Sequence, residues 1–288
     1  MADRGCRPRD RYRPLSPILG LQLLAALAGG AIIGSFLTVL AARIPQILLG
    51  DESEHSSVGA ILSGISWPGS HCTACHAVLN WRDNIPVLSY LHLGGKCRAC
   101  DAPYGRRYLV LEVSSAVTAA ICVWLFGWSG EAALCFALLA SLIVLTVIDL
   151  KEQLLPDVLI LPLLPLGLLF HARYRDGLSS ALVGMAMGYL VMWTIGALYR
   201  LCTGRDGLGF GDVKMAAVLG AWLGAVAVPF FLMGAFAAGV LVTLPLLLLG
   251  RLNAKIAVPF GPFLCLSAVV FVLMPAAAGW TEATLFGL

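Results

Sequence analysis

Two aspartates stand where a run of apolar residues makes an acid expensive. Asp149 ends the run Leu145-Thr146-Val147-Ile148, and Asp212 follows Gly209-Phe210-Gly211 just ahead of another apolar stretch. Acids at the ends of apolar spans resist desolvation, so their presence points to chemistry. Two carboxylates meeting in a low-dielectric cleft cannot both ionise comfortably and share a proton. One then acts as general base on a water, and the other as general acid toward a carbonyl oxygen or a leaving amine. The glycines before Asp212 allow tight turns and close approach by an extended substrate. Helix capping is the simpler role for an acid at a helix start; it suits Asp157 after Pro156 and competes for Asp212. It does not suit Asp149, which closes its helix at the end where negative charge is unfavourable. Glu112 reads as structural, neutralised by Arg106 or Arg107 just before it.

Four of the nine cysteines form a second constellation, Cys72-Thr73-Ala74-Cys75 and Cys97-Arg98-Ala99-Cys100. Each pair brings two thiolates close enough to share an ion, and two such pairs complete a tetrahedral zinc site. The 21 residues between the pairs slightly exceed the usual zinc-ribbon spacing, which a loop absorbs at little cost. A thioredoxin-like redox unit has no room here, and disulfides would require an oxidising compartment. His71, His76 and His92 flank the pairs, but four cysteines already fill a site. Cys122, Cys135, Cys202 and Cys265 lie in or beside apolar runs and read as packing residues, while Cys6 in the tail carries no signal.

These groups must be held by membrane helices. The chain has 288 residues, 59% hydrophobic and 12% charged, with mean hydropathy +0.89. A soluble domain carries about 25% charge, so too little polar surface remains to cover a globule in water. Eight spans are expected, near Ile18–Ala41, Tyr108–Phe126, Ala132–Ile148, Val158–Ala172, Ser180–Tyr199, Met215–Phe230, Phe231–Leu249 and Ile256–Met274. Pro229 marks the expected break within 215–249, and seven spans is the runner-up. The first span is too long for a cleaved signal peptide.

Lys and Arg number 12 on the side of the long insert and 2 on the other, leaving out the first thirteen residues. That places the insert in the cytoplasm. Five arginines in the tail run against the count. A net charge of +3 with no basic soluble domain argues against nucleic acid. The chain divides into residues 1–43 (tail and first span), 44–107 (a cytoplasmic tetracysteine insert) and 108–288 (a membrane core). Neither a GxSxG elbow nor an HExxH signature occurs, and Gly207-Leu208-Gly209-Phe210-Gly211 follows no strand, so it is no dinucleotide loop.

Taken in order, the motifs resemble the type IV prepilin peptidase family of GxGD membrane aspartic proteases. They are Gly34-Ser35-Phe36-Leu37, Arg43-Ile44-Pro45, the two Cys pairs with Asn84-Ile85-Pro86, Ser89-Tyr90-Leu91 and Gly94-Gly95-Lys96, then Ile148-Asp149, Leu154-Leu155-Pro156-Asp157, Gly209-Phe210-Gly211-Asp212-Val213-Lys214 and Pro259-Phe260-Gly261-Pro262. A lone GxGD is shared with presenilin-type proteases, whereas the ordered set is specific and runs from about Gly34 to Pro262. The resemblance implies that Asp149 and Asp212 are the catalytic pair. It also implies that Cys72, Cys75, Cys97 and Cys100 are the family's tetracysteine motif, similar to a zinc site. It further implies cleavage of the short basic leader from type IV prepilins or type II secretion pseudopilins at the cytoplasmic face of the bacterial inner membrane. The cut falls after a Gly and before a residue that is usually Phe. Many members then methylate the new N-terminal amine with S-adenosylmethionine. Thr38 departs from the Asn common at that place.

The expected fold is thus an all-α polytopic membrane protein of about eight transmembrane helices with a zinc-ribbon-like cytoplasmic insert. The expected function is a membrane aspartic endopeptidase that also methylates, with prepilins or pseudopilins and the lipid bilayer as partners. Zinc and S-adenosylmethionine are the expected cofactors. A proton-coupled transporter is the main alternative, but transporter acids lie near the midplane of repeated, broken helices, and these lie at one face. A thiol-redox membrane protein is the other.

Overall fold

The computed structural model describes residues 17–49, 58–66, 69–72, 74–175, 177–250 and 258–278. Eleven α-helices appear among them: α1 (Pro17–Leu49), α2 (Val58–Ser66), α3 (Leu88–His92), α4 (Arg106–Phe126), α5 (Gly130–Glu152), α6 (Asp157–Ile160), α7 (Leu163–Tyr174), α8 (Leu178–Thr203), α9 (Phe210–Leu223), α10 (Val228–Leu248) and α11 (Gly261–Ala278). The Arg-rich tail and Cys6 lie outside the described residues. The chain is an all-α, multi-pass membrane protein. Six segments are long and apolar enough to cross a bilayer: α1, α4, α5, α6 with α7, α8 and α10. The remaining two expected spans are the shorter apolar helices α9 and α11.

Boundaries differ from the expected ones where backbone geometry overrides hydropathy. The break in 215–249 falls at residues 224–227, where Gly224 takes φ +80°, and Pro229 sits in the first turn of α10. Proline is tolerated there because the first-turn amides have no helical acceptor. α9 starts at Phe210, not Met215, which places Asp212 in its first turn. The fourth span is interrupted at Leu161-Pro162 between α6 and α7. α1 continues beyond Ala41 to Leu49, with Pro45 inside it.

In a bilayer, helices gain little from apolar burial and associate through close backbone approach at small residues. The α1–α4 contact follows this rule. A Cβ on Gly30 would come within 2.7 Å of Ala119 Cβ, and one on Gly34 within 2.8 Å of Glu112 Cα. Ser115 Oγ donates to the Gly30 carbonyl at 2.7 Å. Gly184 and Gly188 of α8 meet the backbones of Gly220 and Ala216 on α9 in the same way. On α7, Gly167 receives the Trp222 ring, whose Nε1–H donates to Leu163 O at 2.8 Å.

The innermost helices carry the two aspartates. α9 buries 10 of its 14 residues, so protein surrounds it almost entirely. At about 1.5 Å per residue it spans roughly 21 Å, short of the ~30 Å bilayer core. α5 is buried along its length from Ala132 to Asp149.

Candidate active site and metal site

Asp149 lies in the last turn of α5, where Gln153 adopts the left-handed conformation (φ 51°) and returns its N–H to the Asp149 carbonyl at 2.9 Å. That cap ends the helix and starts the extended segment 154–156. Asp212 is the third residue of α9, after Gly209 as the extended N-cap. Its carboxyl reaches back toward the Gly209 amide, as the third residue of a capping box does. Both aspartates are buried, at 5% and 8% exposure, and they lie within electrostatic reach of each other. Asp149 Oδ2 and Asp212 Oδ1 are buried with no hydrogen-bond partner among the described residues. A buried carboxyl oxygen without a donor is costly, which suits a group kept ready for water or substrate.

Two glycines make this meeting possible. A Cβ on Gly261 would stand 2.5 Å from Asp149 Oδ2, and one on Gly211 would stand 2.9 Å from Leu155 Cβ. Leu155 also approaches Gly261, with Cδ1 3.4 Å from that same built Cβ. One leucine thus separates the loop that introduces Asp212 from the start of α11. The positive end of α11 is set against Asp149, which offsets the unfavourable position of that acid at the C-terminus of α5.

Asp157 does more than open α6. Its carboxylate receives Lys214 Nζ at 2.9 and 2.6 Å, tying the turn after Asp149 to the helix that carries Asp212. Sequence reasoning missed this pair; two opposite charges within a few residues of each aspartate were the available signal. Glu112 is also placed differently from expectation. It accepts the Val87 amide at 2.7 Å and makes no ion pair with Arg106 or Arg107. Those arginines are exposed at the start of α4, while Glu112 sits a turn and a half deeper. Cys122, Cys135 and Cys265 are buried as expected, but Cys202 is exposed at the end of α8.

The four cysteines of the insert do come together. All four sulfurs lie within 4.8 Å of one another, with Cys72–Cys100 at 3.8 Å and Cys75–Cys97 at 4.0 Å. Bonds of about 2.3 Å to a tetrahedral zinc would set sulfurs about 3.8 Å apart, so the cluster fits such an ion. The two halves are built alike. Ala74 and Ala99 each donate their amide to the preceding Cys Sγ at 3.4 Å. His76 and Asp101 take matching positive φ values of 57° and 55°. Single antiparallel bridges, His71 with Val78 and Lys96 with Pro103, close each turn. Amides of Cys75 and Ala74 lower the Cys72 pKa, and those of Ala99 and Cys100 lower Cys97 to about 6. The first cysteine of each knuckle is thus biased toward the thiolate that a metal requires, whereas without the ion, against the Ala102 amide, the Cys75 thiol, burial and the thiols of Cys97 and Cys72 push Cys100 up to about 12.

Comparison with known proteins agrees with these motifs. Residues 28–126 match the family described as the bacterial peptidase A24 N-terminal domain, and residues 136–244 the type IV leader peptidase family. A prepilin leader peptidase/N-methyltransferase of Pseudomonas aeruginosa is 35% identical, covering 87% of this chain and 90% of that protein. One so named from Burkholderia pseudomallei is 39% identical over 85% of this chain and 83% of its own. Another, from Dickeya chrysanthemi, is 38% identical over 90% and 95%. No solved structure matches the chain. With both domain models matched in order and relatives aligned over most of their length, the chain belongs to the type IV leader peptidase family.

Proposed function

We propose that this protein is a membrane aspartic endopeptidase that removes the leader from type IV prepilins or type II secretion pseudopilins and then methylates the new N-terminus. The observation that carries the first activity is the burial of Asp149 and Asp212 beside one another, each with an oxygen awaiting a donor. One carboxylate takes a proton from water as its oxygen attacks the scissile carbonyl carbon. The other, protonated, gives its proton to the carbonyl oxygen. Collapse of the tetrahedral intermediate breaks the C–N bond, and a proton passes to the leaving amine. The pair acts as one titrating unit, with no fixed division between acid and base.

The substrate's apolar helix enters from lipid. An apolar groove of about 290 Å³ between α8, α10 and α11 supports this route. Leu208 and Phe260 line it, next in sequence to Gly209 and Gly261, which approach the carboxyls of Asp212 and Asp149. Crosslinks from a substrate helix to Leu208 or Phe260 positions are expected, and crosslinks confined to α1 and α4 would contradict lateral entry here.

Cys72, Cys75, Cys97 and Cys100 hold one structural zinc ion, which stabilises an insert with little apolar core of its own. S-adenosylmethionine supplies an electrophilic methyl group for the second reaction. The membrane is the bacterial inner membrane, with the insert and the aspartates at its cytoplasmic side, as the count of basic residues favours. Residues 1–43 anchor, 44–107 form the insert and 108–288 carry the peptidase. The test is purified protein in lipid discs with a synthetic prepilin: the product mass should fall by the leader and, with S-adenosylmethionine present, rise by one methyl group. An intact substrate after prolonged incubation would overturn the proposal.

A further inference from the structure

A second cavity lies away from the aspartates, walled by α1, α4 and the tetracysteine insert. It measures about 250 Å³, close to the lower end of the ~300–1,000 Å³ usual for small-molecule sites. Each of its walls is fixed by an interaction already described. α1 presents Ser35, Thr38 and Ala42 along one stripe, and α4 presents Tyr108 and Glu112. The two knuckles supply the floor, His71 from the first and Tyr104 from the second. Tyr104 Oη is buried beside Cys97.

The chemistry of this lining is selective. Glu112 is 9% exposed, and of its two carboxyl oxygens Oε2 alone is hydrogen-bonded among the described residues, to the Val87 amide. A rigid carboxylate with one free oxygen suits ribose hydroxyls, as in dinucleotide sites, or a cationic centre. Tyrosine faces in the same cavity suit an adenine ring and attract a sulfonium. Lipid tails would not choose a cavity carrying a buried carboxylate, and because Arg43 and Asp83 line it beside Glu112, it suits a zwitterionic ligand with an amino-acid end better than a simple anion or cation.

From this juxtaposition we infer that the cavity between α1, α4 and the knuckles is the binding site for S-adenosylmethionine, an inference that rests on the proposed methylation. α1 then separates two reactions. Thr38 and Ala42 face the cavity, while Leu37, Leu40 and Ala41 on the adjacent face pack against Val144 and Ile148 of α5, just before Asp149. A cleaved N-terminus has to cross about one helix diameter, ~10 Å, to pass from one site to the other. There the amine, neutral after releasing a proton to solvent, forms the N–C bond as the C–S bond breaks. That bond's electron pair remains on sulfur, leaving a thioether and a methylated ammonium.

The test is binding of radiolabelled S-adenosylmethionine to the purified full-length protein, followed by ultraviolet crosslinking and peptide mapping. Label should fall on peptides containing Tyr104 or Tyr108. Glu112→Gln should weaken binding about 10-fold or more, with metal content and melting temperature reporting that the fold persists. Asp149→Asn should bind as wild type does. Saturable binding with label on α8–α11, or full affinity in Glu112→Gln, or loss of binding in Asp149→Asn, overturns the cavity assignment and leaves methylation standing. No saturable binding by the wild type overturns both.

Discussion

At the scale of single residues, the site depends as much on missing atoms as on carboxylates. Gly261→Ala places a methyl group 2.5 Å from Asp149 Oδ2, so the acid or α11 must move. Displacements near 1 Å at a reacting group lower rates by up to ~100-fold, and a 10- to 100-fold fall in leader cleavage is expected in a kinetic assay. Protein level and melting temperature should change far less, because the clash is confined to one carboxyl. Wild-type rates in this variant would show that Asp149 is not held as described. Asp149 and Asp212 were legible in the sequence because an acid beside an apolar span is conspicuous. Gly261 was legible only as part of a motif, since what it must avoid belongs to a helix more than a hundred residues earlier. Glu112 was misjudged for a related reason. Sequence offered two neighbouring arginines, while the folded chain offers the amide of Val87 from the insert.

At the scale of elements, the turn after α5 and the start of α9 are joined by Asp157 and Lys214. Their side chains are 50% and 29% exposed, so the pair contributes roughly 0.2–1 kcal/mol and serves mainly to set register. Asp157→Lys and Lys214→Asp should each lower cleavage and melting temperature, and the double exchange should recover most of both. Two singles whose effects simply add in the double would deny the coupling. The membrane helices were readable from hydropathy, whereas α2 and α3 of the insert were not. Helix ends were not, because they are set by Gly224 and by the cap at Gln153, which leave no apolar signature. The cysteine knuckles stand between these cases. Their spacing announced them, yet their near-identical turns emerge only from backbone geometry. One zinc per chain is expected by elemental analysis, falling to none in Cys72→Ser. Acidification should release it, since protons compete with the metal for the thiolates. Metal retained in full by Cys72→Ser would exclude the four-sulfur site.

At the scale of the whole molecule, the short helix α9 is enclosed by its neighbours, and that enclosure takes Asp212 out of water, within electrostatic reach of Asp149. The proposed side of the membrane rests on the count of basic residues: a reporter fused within the insert is expected to read as cytoplasmic, and a periplasmic signal would reverse the proposed orientation. Sequence supplied the membrane class, the spans and the family motifs. It could not supply the cavity behind α1, because its lining comes from three separate segments that converge only on folding. The central claim is that the buried carboxyl pair cuts peptide bonds. Its most direct measurement is co-expression of a prepilin with wild type, Asp149→Asn and Asp212→Asn, with leader removal read by intact mass. Each change keeps side-chain size while removing the titratable group. Cleavage by wild type and a loss of at least ~1,000-fold in both variants, each accumulating stably in the membrane, is the predicted result. Leader removal by either variant at the wild-type rate would contradict the account.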